Sequence, residues 1–486
     1  MELLKGVCIV RTSGPLTDTE INCIRENSSE IENGDMFIAM AGSTYDGTDY
    51  IAQAVLNGAS CIVREGGGEC CIHADGVCFI QVNNVRRACA VIWSNFYGNP
   101  ERYLHLIGVT GTNGKTTVCK MIKHIFDFCG EKCGIIGTVG NGIGDNIVPS
   151  NMTTPALREF FRLLEEYRKC GAHTVVLEAS SHALKQERLS PCLFDIGILT
   201  NITSDHLDFH KTKEDYISSK CKLFTQSKIS LLNGDDPSVD IVCRRIRGTK
   251  RICSINGCGD VKVKNITDNG FSGSEFDYNG IKVRLPLAGI FNVYNAMQAI
   301  ASCEIMGISA QKSASALECM PCVKGRCEVL GSLGVSVPFT VVIDFAHTPD
   351  ALENILKICK GASKGRIITV FGCGGDRDKT KRSAMGRIAS RISDLTVITS
   401  DNSRSEDPIG IIKEILKGVD KNSRYTVIPD RTEAIKYALD AAKDGDVVLL
   451  AGKGHEEYEI NSQGIRPYSE RNIVREHLVN KYAKDS

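Results

Sequence analysis

Short apolar runs alternate with polar turns along the whole chain, and this spacing predicts an α/β protein. Within residues 1–102, the apolar runs 36–40 and 59–63 predict two strands. Residues 51–57 predict a helix, and residues 42–47 predict a loop. We therefore expect a small α/β domain in the first hundred residues.

The rest of the chain predicts two further domains, over residues 103–331 and 332–486, after a linker at 99–102. Strand-like runs alternate with helical segments in both, which favours parallel sheets with crossover helices. The C-terminal domain is predicted to be Rossmann-like, with a second doubly wound sheet. The predicted strands are 103–107, 172–177, 194–199, 341–343, 367–370, 395–398 and 447–450.

Residues 108–117, Gly-Val-Thr-Gly-Thr-Asn-Gly-Lys-Thr-Thr, join a predicted strand to a helix predicted at 118–128. A glycine-rich turn at a helix N-terminus binds phosphate through backbone N–H groups and the helix dipole. Lys115 offers a charge for β- and γ-phosphates, and the Thr116 hydroxyl suits Mg²⁺. The strict P-loop pattern fails at Val109, because the first glycine is one place early. The stretch predicts a nucleoside triphosphate site; the competing interpretation is a glycine-rich turn with a chance Lys-Thr pair.

Polar residues follow several predicted strands at the point where each strand ends. Residues 178–182 follow one central strand, and residues 200–208 follow another. Ligands bind at the carboxyl ends of parallel strands, so Glu178 and His206 are expected at the same edge as the P-loop. The C-terminal strands are followed by polar segments 344–347, 372–378, 401–407 and 452–456, which predict a second ligand edge.

Length and charge limit the class of protein. A chain of 486 residues suggests about three domains. Lys+Arg and Asp+Glu both number 58, so the formal net charge is zero, which argues against nucleic acid as the main partner. No apolar run approaches the ~20 residues that cross a bilayer, and residues 1–6 lack a signal-peptide core. We expect a cytoplasmic monomer that binds small molecules and does not insert into membranes.

The 22 cysteines are expected to be reduced thiols. Most stand singly in apolar surroundings, where cysteine behaves as a small buried hydrophobe. Two groups approach metal spacing, Cys319-x2-Cys322-x4-Cys327 and Cys129-x3-Cys133. Neither has a second Cys-x2-Cys pair or a paired histidine, so the sequence does not favour a zinc site. The singly placed cysteines include Cys61, Cys89, Cys119, Cys303 and Cys359.

The motifs at 110–117, 178–182 and 200–208 resemble those of the Mur ligase family, which joins amino acids to a UDP-muramyl chain using ATP. Residues 291–296, 325–328 and 344–347 are similar to its nucleotide motifs, so the resemblance spans nearly the whole chain. It implies that ATP phosphorylates a carboxylate and that an amine then attacks the acyl phosphate. The implied ATP-binding residues are Thr110, Gly111, Thr112, Asn113, Gly114, Lys115, Thr116, Thr117, Asn295, Arg326, Asp344 and His347.

The resemblance also implies Mg²⁺ as a cofactor. Thr116 and Glu178 would hold one ion beside the β- and γ-phosphates, and His206 a second near the acceptor carboxylate. An imidazole that only caps a loop is the alternative for His206. The implied catalytic residues are Lys115, Glu178, His206 and Lys220.

Lys220 lies in Tyr-x-x-x-Lys-x-x-Leu-Phe, residues 216–224, which resembles the family segment whose lysine becomes a carbamate through CO₂. A carbamate is an anion and is a further implied metal ligand. Thr212 is predicted to cap the helix that carries it, with Glu214 and Asp215 in the first turn. From the sequence alone, Lys220 is an ordinary surface lysine.

Residues 34–39, Gly42 and 46–47 resemble the uridine-binding domain of the family member that adds the third residue of the muramyl peptide. That member usually has Asp-Ser-Arg just before, whereas here the triplet is Asn27-Ser28-Ser29, and the arginine contact is lost. Residues 150–155 resemble its muramyl-peptide loop. The implied residues for the UDP-muramyl dipeptide are Ser28, Asn151, Thr153, Thr154, Ser180, Gln186 and Arg188.

Asp401-Asn402-Ser403-Arg404 stands where diaminopimelate-adding members have Asp-Asn-Pro-Arg and lysine-adding members lack the arginine. A guanidinium can hold the distal carboxylate of diaminopimelate but would repel the ammonium of lysine. The implied pocket residues are Arg377, Asp401, Asn402, Arg404, Gly452 and Glu456.

The resemblance thus implies an ATP-dependent ligase that adds meso-diaminopimelate to UDP-N-acetylmuramoyl-L-alanyl-D-glutamate. Two alternatives stay open: the same ligase acting on L-lysine or another diamino acid, and a P-loop protein that binds nucleotide without catalysis. A solvated loop arginine is the competing interpretation of Arg404. Folylpolyglutamate-type ligases share the central motifs but lack this uridine-binding domain.

Overall fold

The structure is a computed structural model that describes residues 2–15, 20–42, 45–66, 74–203, 205–257, 259–331 and 334–482. The chain divides into two compact units. The first unit comprises Met1–Gly108, Lys132–Gly197 and Ser219–Ile229. The second unit comprises Val109–Glu131, Ile198–Ser218 and Ser230–Ser486.

The N-terminal part of the first unit forms β1 (Ile9–Ser13), β2 (Ile24–Arg25), β3 (Met36–Ala39), α1 (Ile51–Leu56), β4 (Cys61–Glu65), β5 (Cys78–Val82) and α2 (Val85–Phe96). The sheet order is β1-β5-β4-β3-β2, with β2 to β5 parallel and β1 antiparallel to β5. Phe37 and Ile62 belong to its buried core. Asn84 begins α2 by accepting a hydrogen bond from the Arg87 N–H at 2.9 Å.

The middle of the chain forms eleven strands and eight α-helices within the described residues. The strands are β6 (His105–Thr110), β7 (Cys133–Gly137), β8 (Gly140–Ile143), β9 (Asn146–Val148), β10 (Thr174–Glu178), β11 (Phe194–Leu199), β12 (Ser227–Asn233), β13 (Thr249–Ser254), β14 (Val261–Asp268), β15 (Ser274–Tyr278) and β16 (Ile281–Leu285). The helices are α3 (Lys115–Phe128), α4 (Leu157–Lys169), α5 (Ser181–Lys185), α6 (Leu207–His210), α7 (Lys213–Thr225), α8 (Val239–Arg245), α9 (Ile290–Ile305) and α10 (Ala310–Glu318).

These strands form one sheet in the order β16-β15-β14-β13-β12-β11-β6-β10-β7-β8-β9. β7 pairs parallel with β10, and β13 pairs parallel with β14. Antiparallel hairpins extend the sheet at both ends, β7-β8-β9 at one and β14-β15-β16 at the other. Asn279 and Gly280 have φ of 49° and 81° in the two-residue turn between β15 and β16, a conformation that Asn-Gly favours.

The C-terminal part of the second unit forms β17 (Glu328–Val329), β18 (Thr340–Asp344), β19 (Ile367–Phe371), β20 (Leu395–Ile398), β21 (Tyr425–Val427), β22 (Val447–Ala451), β23 (Tyr458–Asn461) and β24 (Gly464–Pro467). Its helices are α11 (Pro349–Ala362), α12 (Thr380–Ile392), α13 (Pro408–Leu416), α14 (Arg431–Ala441) and α15 (Glu470–Tyr482). The six-stranded sheet has the order β17-β18-β22-β19-β20-β21, parallel except for β17; β23 and β24 form a separate hairpin.

Helices cover both faces of this C-terminal sheet, which explains its continuous apolar strands. Val342 packs on one face with Leu352 of α11 and Met385 of α12. Val341 packs on the opposite face with Leu439 of α14 and Leu478 of α15. The prediction of a second doubly wound sheet is confirmed.

Most predicted strands and helices are present, with shifted ends. The helix predicted at 118–128 begins at Lys115, and the predicted linker contains a 3₁₀ turn at Pro100–Tyr103. Thr212 accepts a hydrogen bond from the Asp215 N–H at 3.1 Å, which confirms the predicted cap. The antiparallel hairpins were not predicted, because alternation of strand and helix does not reveal them. Residues 43 and 44 of the predicted loop and Ser204 of the 200–208 motif lie outside the described residues.

The five cysteines predicted to be buried hydrophobes are buried as thiols: Cys61, Cys89, Cys119, Cys303 and Cys359. In the part of the chain that the structure describes, no helix combines the length and apolar character needed to span a membrane.

Candidate active site

The glycine-rich turn lies between β6 and the first residue of α3, Lys115. Gly111 has φ of 153° and Gly114 has φ of 85°. A Cβ atom on Gly111 would lie 1.9 Å from Thr200 Oγ1, and one on Gly114 would lie 2.7 Å from Asn295 Oδ1. Both positions therefore require glycine for backbone conformation and for space.

Gly108 lies inside β6 rather than in the turn. A Cβ atom there would lie 2.6 Å from Leu223 Cδ1 and 2.9 Å from Phe194 Cε1. This glycine makes room for neighbouring apolar side chains, so its displacement from the strict P-loop pattern has a packing cause.

The segment after β11 holds the turn in place. The Asn113 N–H donates to Asn201 Oδ1 at 2.9 Å, and Thr200 Oγ1 donates to the Asn113 carbonyl at 2.6 Å. Thr112 Oγ1 donates to the Thr203 carbonyl at 3.1 Å. The turn is thus fixed by side chains that follow a neighbouring strand, as the convergence of strand ends predicts.

The Lys115 ammonium lies over the turn that precedes it. Its Nζ donates to the carbonyl oxygens of Gly111 and Thr112, both at 2.8 Å. A flexible lysine held by backbone carbonyls can exchange them for phosphate oxygens, since a phosphate carries full negative charge. This geometry fits the predicted role of Lys115 at a triphosphate.

Asp205 lies among three cationic or titratable side chains of the second unit. Its Oδ2 lies 3.4 Å from His206 Nε2 and 4.0 Å from His347 Nε2, and its Oδ1 lies 3.9 Å from Lys381 Nζ. Burial acts to raise the pKa of Asp205, but these neighbours outweigh it and lower the pKa to about 2. His206 has a positive φ of 56°, so this loop holds a strained backbone beside the carboxylate.

Arg326 lies between two predicted nucleotide motifs. Its Nη2 donates to the Thr116 hydroxyl at 3.2 Å, and its guanidinium carbon lies 4.7 Å from the Phe345 ring centroid. Burial raises the pKa of Asp344 to about 6, although Arg326 and the Cys327 N–H oppose the rise. Burial lowers the pKa of His347 to about 4, with a contribution from Lys381.

Glu178 is at the last position of β10 and is 1% exposed. Its carboxylate accepts hydrogen bonds from the Thr138 N–H at 2.8 Å and from the Thr138 hydroxyl at 3.1 Å. A Cβ atom on Gly137 would lie 2.3 Å from Glu178 Oε1, so this close approach also requires glycine. The carboxylate is therefore held in one orientation at the strand end.

Lys220 lies in α7 and is only 1% exposed. The interpretation as an ordinary surface lysine is therefore wrong. The sequence contained a signal for this burial, because Tyr216 and Phe224 stand four residues to either side of Lys220 and are themselves buried, so helical spacing puts Lys220 on the apolar face. A buried ammonium is costly unless it is paired or chemically altered.

Four of the predicted muramyl-peptide residues meet in the first unit. Thr154 Oγ1 and Ser180 Oγ are 3.0 Å apart, and Arg188 Nη1 donates to the Thr154 carbonyl at 2.9 Å. Arg188 Nη2 donates to Gln186 Oε1 at 2.6 Å. Burial lowers the pKa of the Arg188 guanidinium. The cluster presents hydroxyl, amide and guanidinium groups, which suit a peptide carboxylate.

The other predicted muramyl residues are placed separately. Thr153 Oγ1 lies 3.2 Å from Thr138 Oγ1, and Asn151 is exposed. Ser28 is buried and donates to Gln53 Oε1 at 3.1 Å. Asn27, which replaces the usual aspartate, caps the short 3₁₀ turn at Ser28–Glu30 by accepting from the Ser29 N–H.

Asn402 is the centre of the predicted amino-acid pocket. Its Nδ2 donates to Glu456 Oε2 at 2.8 Å. Its Oδ1 accepts from Lys453 Nζ at 2.9 Å and from the Ile460 N–H at 3.0 Å. Burial and the charge of Asp401 raise the pKa of Glu456, with Lys453 opposing. The loop after β20 and the loop after β22 are thus joined through one amide.

The Arg404 side chain joins the loop after β20 to the loop after β19. Its Nη1 donates to the Gly375 carbonyl at 2.8 Å and to the Asn402 carbonyl at 3.2 Å. Its φ is 52°, and its pKa is lowered by burial and by the nearby charge of Arg377. Arg404 is half-buried and hydrogen-bonded, which does not fit a freely solvated loop arginine.

Asp401 and Gly452 complete the pocket. A Cβ atom on Gly452 would lie 2.9 Å from Asp401 Oδ2, and Gly452 has φ of 114°. Burial acts to raise the pKa of Asp401, but Lys453 and Arg431 outweigh it and keep the pKa below its usual value. No group of three or more His, Cys, Asp or Glu is arranged for a metal ion within the described ranges.

Three family models match consecutive parts of the chain: the Mur ligase family, catalytic domain over residues 20–97, the Mur ligase middle domain over 109–303, and the Mur ligase, glutamate ligase domain over 325–454. A UDP-N-acetylmuramoyl-L-alanyl-D-glutamate--2,6-diaminopimelate ligase of Clostridium tetani (strain Massachusetts / E88) is 41% identical over 468 residues, 96% of either chain. This chain belongs to the Mur ligase family.

Other Mur ligases match over similar lengths. A ligase with the same name from Aquifex aeolicus (strain VF5) is 40% identical over 93% of this chain and 92% of its own. A solved structure with that name is 30% identical, with a TM-score of 0.68, and the match covers 97% of this chain and 98% of that chain. MurF ligase from Thermotoga maritima in complex with ADP is 20% identical over 97% and 99% of the two chains, with a TM-score of 0.61, and supports the fold alone.

Sequence reasoning missed four buried or nearly buried cations of this Mur ligase. Arg382, Arg431 and Lys453 are no more than 2% exposed, and the Lys381 side chain is 10% exposed. Lys453 had a signal, since it stands between two glycines directly after a predicted strand. A helical arginine is usually a surface residue. Arg382 and Arg431 nevertheless stand at helical spacing from the buried residues Met385 and Ile435, and this spacing was their signal.

Proposed function

We propose that this Mur ligase adds meso-2,6-diaminopimelate to UDP-N-acetylmuramoyl-L-alanyl-D-glutamate, releasing ADP and phosphate, in peptidoglycan precursor synthesis. The observation that supports the proposal is the pair of hydrogen bonds that link Arg404 to the Asn402 carbonyl and Asn402 to Glu456, which bring a cation and an anion together for the two distal groups of diaminopimelate. Relatives about 40% identical over nearly the full length have names that state this reaction.

ATP binds the glycine-rich turn in this proposal. Lys115 leaves its carbonyl partners for the β- and γ-phosphates, where a point charge lowers the barrier to phosphoryl transfer. Thr110 to Thr117 supply backbone N–H groups, and Arg326, Asp344, His347 and Asn295 complete the nucleotide contacts. His347 with a pKa near 4 is neutral at pH 7 and accepts or donates hydrogen bonds without adding charge.

The residues present fit Mg²⁺ as a cofactor, because Mg²⁺ takes few protein oxygens or imidazoles and keeps phosphate oxygens and water. In the second unit the proposed ligands are Thr116 and His206, and in the first unit Glu178, whose orientation Thr138 fixes. A bound Mg²⁺ would neutralise phosphate charge as it develops. Asp205, ionised beside His206, keeps negative potential near the imidazole.

Lys220 is proposed to react as a neutral amine with CO₂, forming a carbamate and releasing a proton. Its near-complete burial supports this role, since a lysine with an ordinary surface function would be exposed to solvent. The product is an anion, which reverses the charge that this position presents to a metal ion.

The amine of diaminopimelate attacks the acyl phosphate. The pocket binds the distal end of the diaminopimelate molecule and so determines which amino acid is used. Arg404 is proposed to bind the distal carboxylate, and Glu456 with Asn402 the distal ammonium. Arg377, Asp401 and Gly452 line the same pocket. The muramyl peptide is proposed to bind Ser28, Asn151, Thr153, Thr154, Ser180, Gln186 and Arg188. Because ATP is a cytoplasmic metabolite, we place the reaction in the cytoplasm.

The deciding experiment measures phosphate release with the UDP-dipeptide and a panel of amino acids. We expect diaminopimelate to give the highest kcat/KM. Arg404→Ala should lower the kcat/KM for diaminopimelate about 30- to 150-fold, which is the effect of losing one charge-assisted pair. The kcat/KM for lysine should not fall. Lys324→Ala, which removes an exposed cation paired with Glu457, is the matched control and should change neither substrate.

Two outcomes would reject the proposal. Wild-type preference for lysine or another diamino acid would make that compound the substrate. No phosphate release with any amino acid would favour a protein that binds nucleotide without ligation.

An equal loss of kcat/KM for both substrates in Arg404→Ala would show that Arg404 is structural.

A further inference from the structure

Arg431 breaks a local rule of helix formation. It is the first residue of α14, where the positive end of the helix dipole disfavours a cation, and it is 2% exposed. A fully desolvated arginine at this position is costly unless acceptors elsewhere offset the loss. Two of the acceptors that it contacts belong to residues that directly precede the proposed pocket residues Asp401 and Gly452.

The guanidinium directly links the carboxyl ends of two strands that are not neighbours in the sheet. Its Nη1 donates to the Ser400 carbonyl at 3.1 Å, and its Nη2 donates to the Ala451 carbonyl at 2.8 Å. Ser400 follows β20 and Ala451 ends β22, and these two strands lie on opposite sides of β19. The two strands do not pair with each other, and their register is set through β19, where Phe371 lies opposite both Ile398 and Ala451. Arg431 adds a direct link between the two ends.

The residues that come next are pocket residues. Asp401 follows Ser400, and Gly452 follows Ala451. Arg431 Nη1 also lies 3.6 Å from Asp401 Oδ2, the oxygen that a Cβ on Gly452 would contact. Glu470, itself 2% exposed, accepts a hydrogen bond from Arg431 Nε at 2.8 Å and so holds the guanidinium in place.

We propose that Arg431 is a positioning residue of the amino-acid pocket: it ties the end of β20 to the end of β22 and orients Asp401, and through these contacts sets the distance between Asn402 and Glu456. The inference rests on the proposed function of that pocket. Lysine cannot replace arginine here, because one ammonium cannot span two carbonyls and a carboxylate in a planar array.

The test compares Arg431→Lys with Arg366→Lys in the full-length enzyme. Arg366 also joins a carboxylate and a carbonyl, Asp446 and Ala441, but at the amino end of β22. Arg431→Lys should raise the KM for diaminopimelate about tenfold, since small misplacements of binding groups have effects of this size. The KM values for ATP and the UDP-dipeptide should stay within about twofold. Arg366→Lys should leave all three unchanged.

A role in folding alone gives a different result. It would lower the melting temperature and the apparent kcat together and leave the amino-acid KM at the wild-type value, which would overturn the inference. If Arg431→Lys does not fold, Glu470→Gln decides: it keeps the size of the anchor, removes its charge, and should raise the same KM by a smaller factor. An unchanged KM in Glu470→Gln would then reject the inference.

Arg404→Ala separates this inference from the proposed function. If Arg404→Ala raises the KM for diaminopimelate and Arg431→Lys does not, only the positioning role fails. If Arg404→Ala leaves the amino-acid KM unchanged, the amino acid does not bind in this pocket and the proposed function fails at that point.

Discussion

Arg326 and Thr116 share a hydrogen bond of 3.2 Å across 210 residues of sequence. The arginine precedes β17, and the threonine is the second residue of α3, directly after the lysine of the glycine-rich turn. The hydroxyl that we assign to a metal ligand is thus already oriented by a side chain from a distant nucleotide motif. Both residues belong to the second unit, so this link is internal to one compact body.

Arg326→Ala should raise the KM for ATP about tenfold or more, because the variant loses the cation that we propose to contact the nucleotide and that hydrogen-bonds to Thr116. Steady-state kinetics with saturating UDP-dipeptide and amino acid measures the effect. Lys324→Ala is the control from the same segment, since Lys324 is exposed and pairs with Glu457. An ATP KM that moves equally in both variants would remove Arg326 from the nucleotide site.

Lys115→Ala should reduce kcat on the order of 100-fold or more, because the transferring phosphoryl group loses its nearest point charge. The reduction should appear in phosphate release with all substrates saturating. Lys357→Ala removes an exposed lysine that pairs with Glu353 on α11 and should keep full activity. Activity within a few-fold of wild type in Lys115→Ala would refute the assignment of the ATP site.

Lys220→Ala should be nearly inactive and should regain part of its activity when short carboxylates such as formate or acetate are added. The physical reason is that a small anion can occupy the space of the proposed carbamate. Lys222→Ala, two residues along α7, is the control, because that lysine is 39% exposed and pairs with Glu187. Full activity of Lys220→Ala without additives would mean that the buried lysine has no chemical role.

The lowered pKa of Glu406 predicts that the stability of the second unit falls in acid. Hydrogen bonding to Arg382 lowers the pKa of Glu406 to about 2 from its usual value of 4.5. A depressed pKa means that the folded state binds fewer protons, so this stabilisation is present above pH 4.5 and is lost as the pH falls toward about 2. Denaturant unfolding at about pH 6 and about pH 3.5 should show a smaller acid-induced loss in Glu406→Gln than in wild type.

The control for that measurement is Glu159→Gln, which alters an exposed pair with Arg162 on α4. It should follow the wild-type dependence on pH. A Glu406→Gln curve that also follows wild type would show that the pair with Arg382 does not stabilise the fold in this range.

The sequence predicted the strands of the C-terminal sheet well, because runs such as 395–398 and 447–450 are buried on both faces and contain few polar residues. It also indicated the glycine-rich turn, since the φ values of Gly111 and Gly114 suit glycine. Local patterns of this kind survive in the linear sequence.

The sequence did not predict features that depend on distant partners. The hydrogen-bond partners of Arg431 are the carbonyls of Ser400 and Ala451 and the carboxylate of Glu470, which lie 20 to 39 residues away along the chain. The amide of Asn402, which joins Lys453 and Glu456, likewise needs two loops that are about fifty residues apart to meet. Pairings of this kind are properties of the tertiary structure.

β22 occupies a central place in its sheet, between β18 and β19, although it is the last of the six strands in the sequence. During synthesis, β18 and β19 emerge about a hundred and about eighty residues before β22. β18 can pair with β17 and β19 can pair with β20 at that stage, but only β22 joins these two pairs into one sheet. The same event brings Gly452 and Glu456 beside Asn402. Closure of the sheet and completion of the predicted amino-acid pocket are therefore one step, which occurs late in the synthesis of the chain.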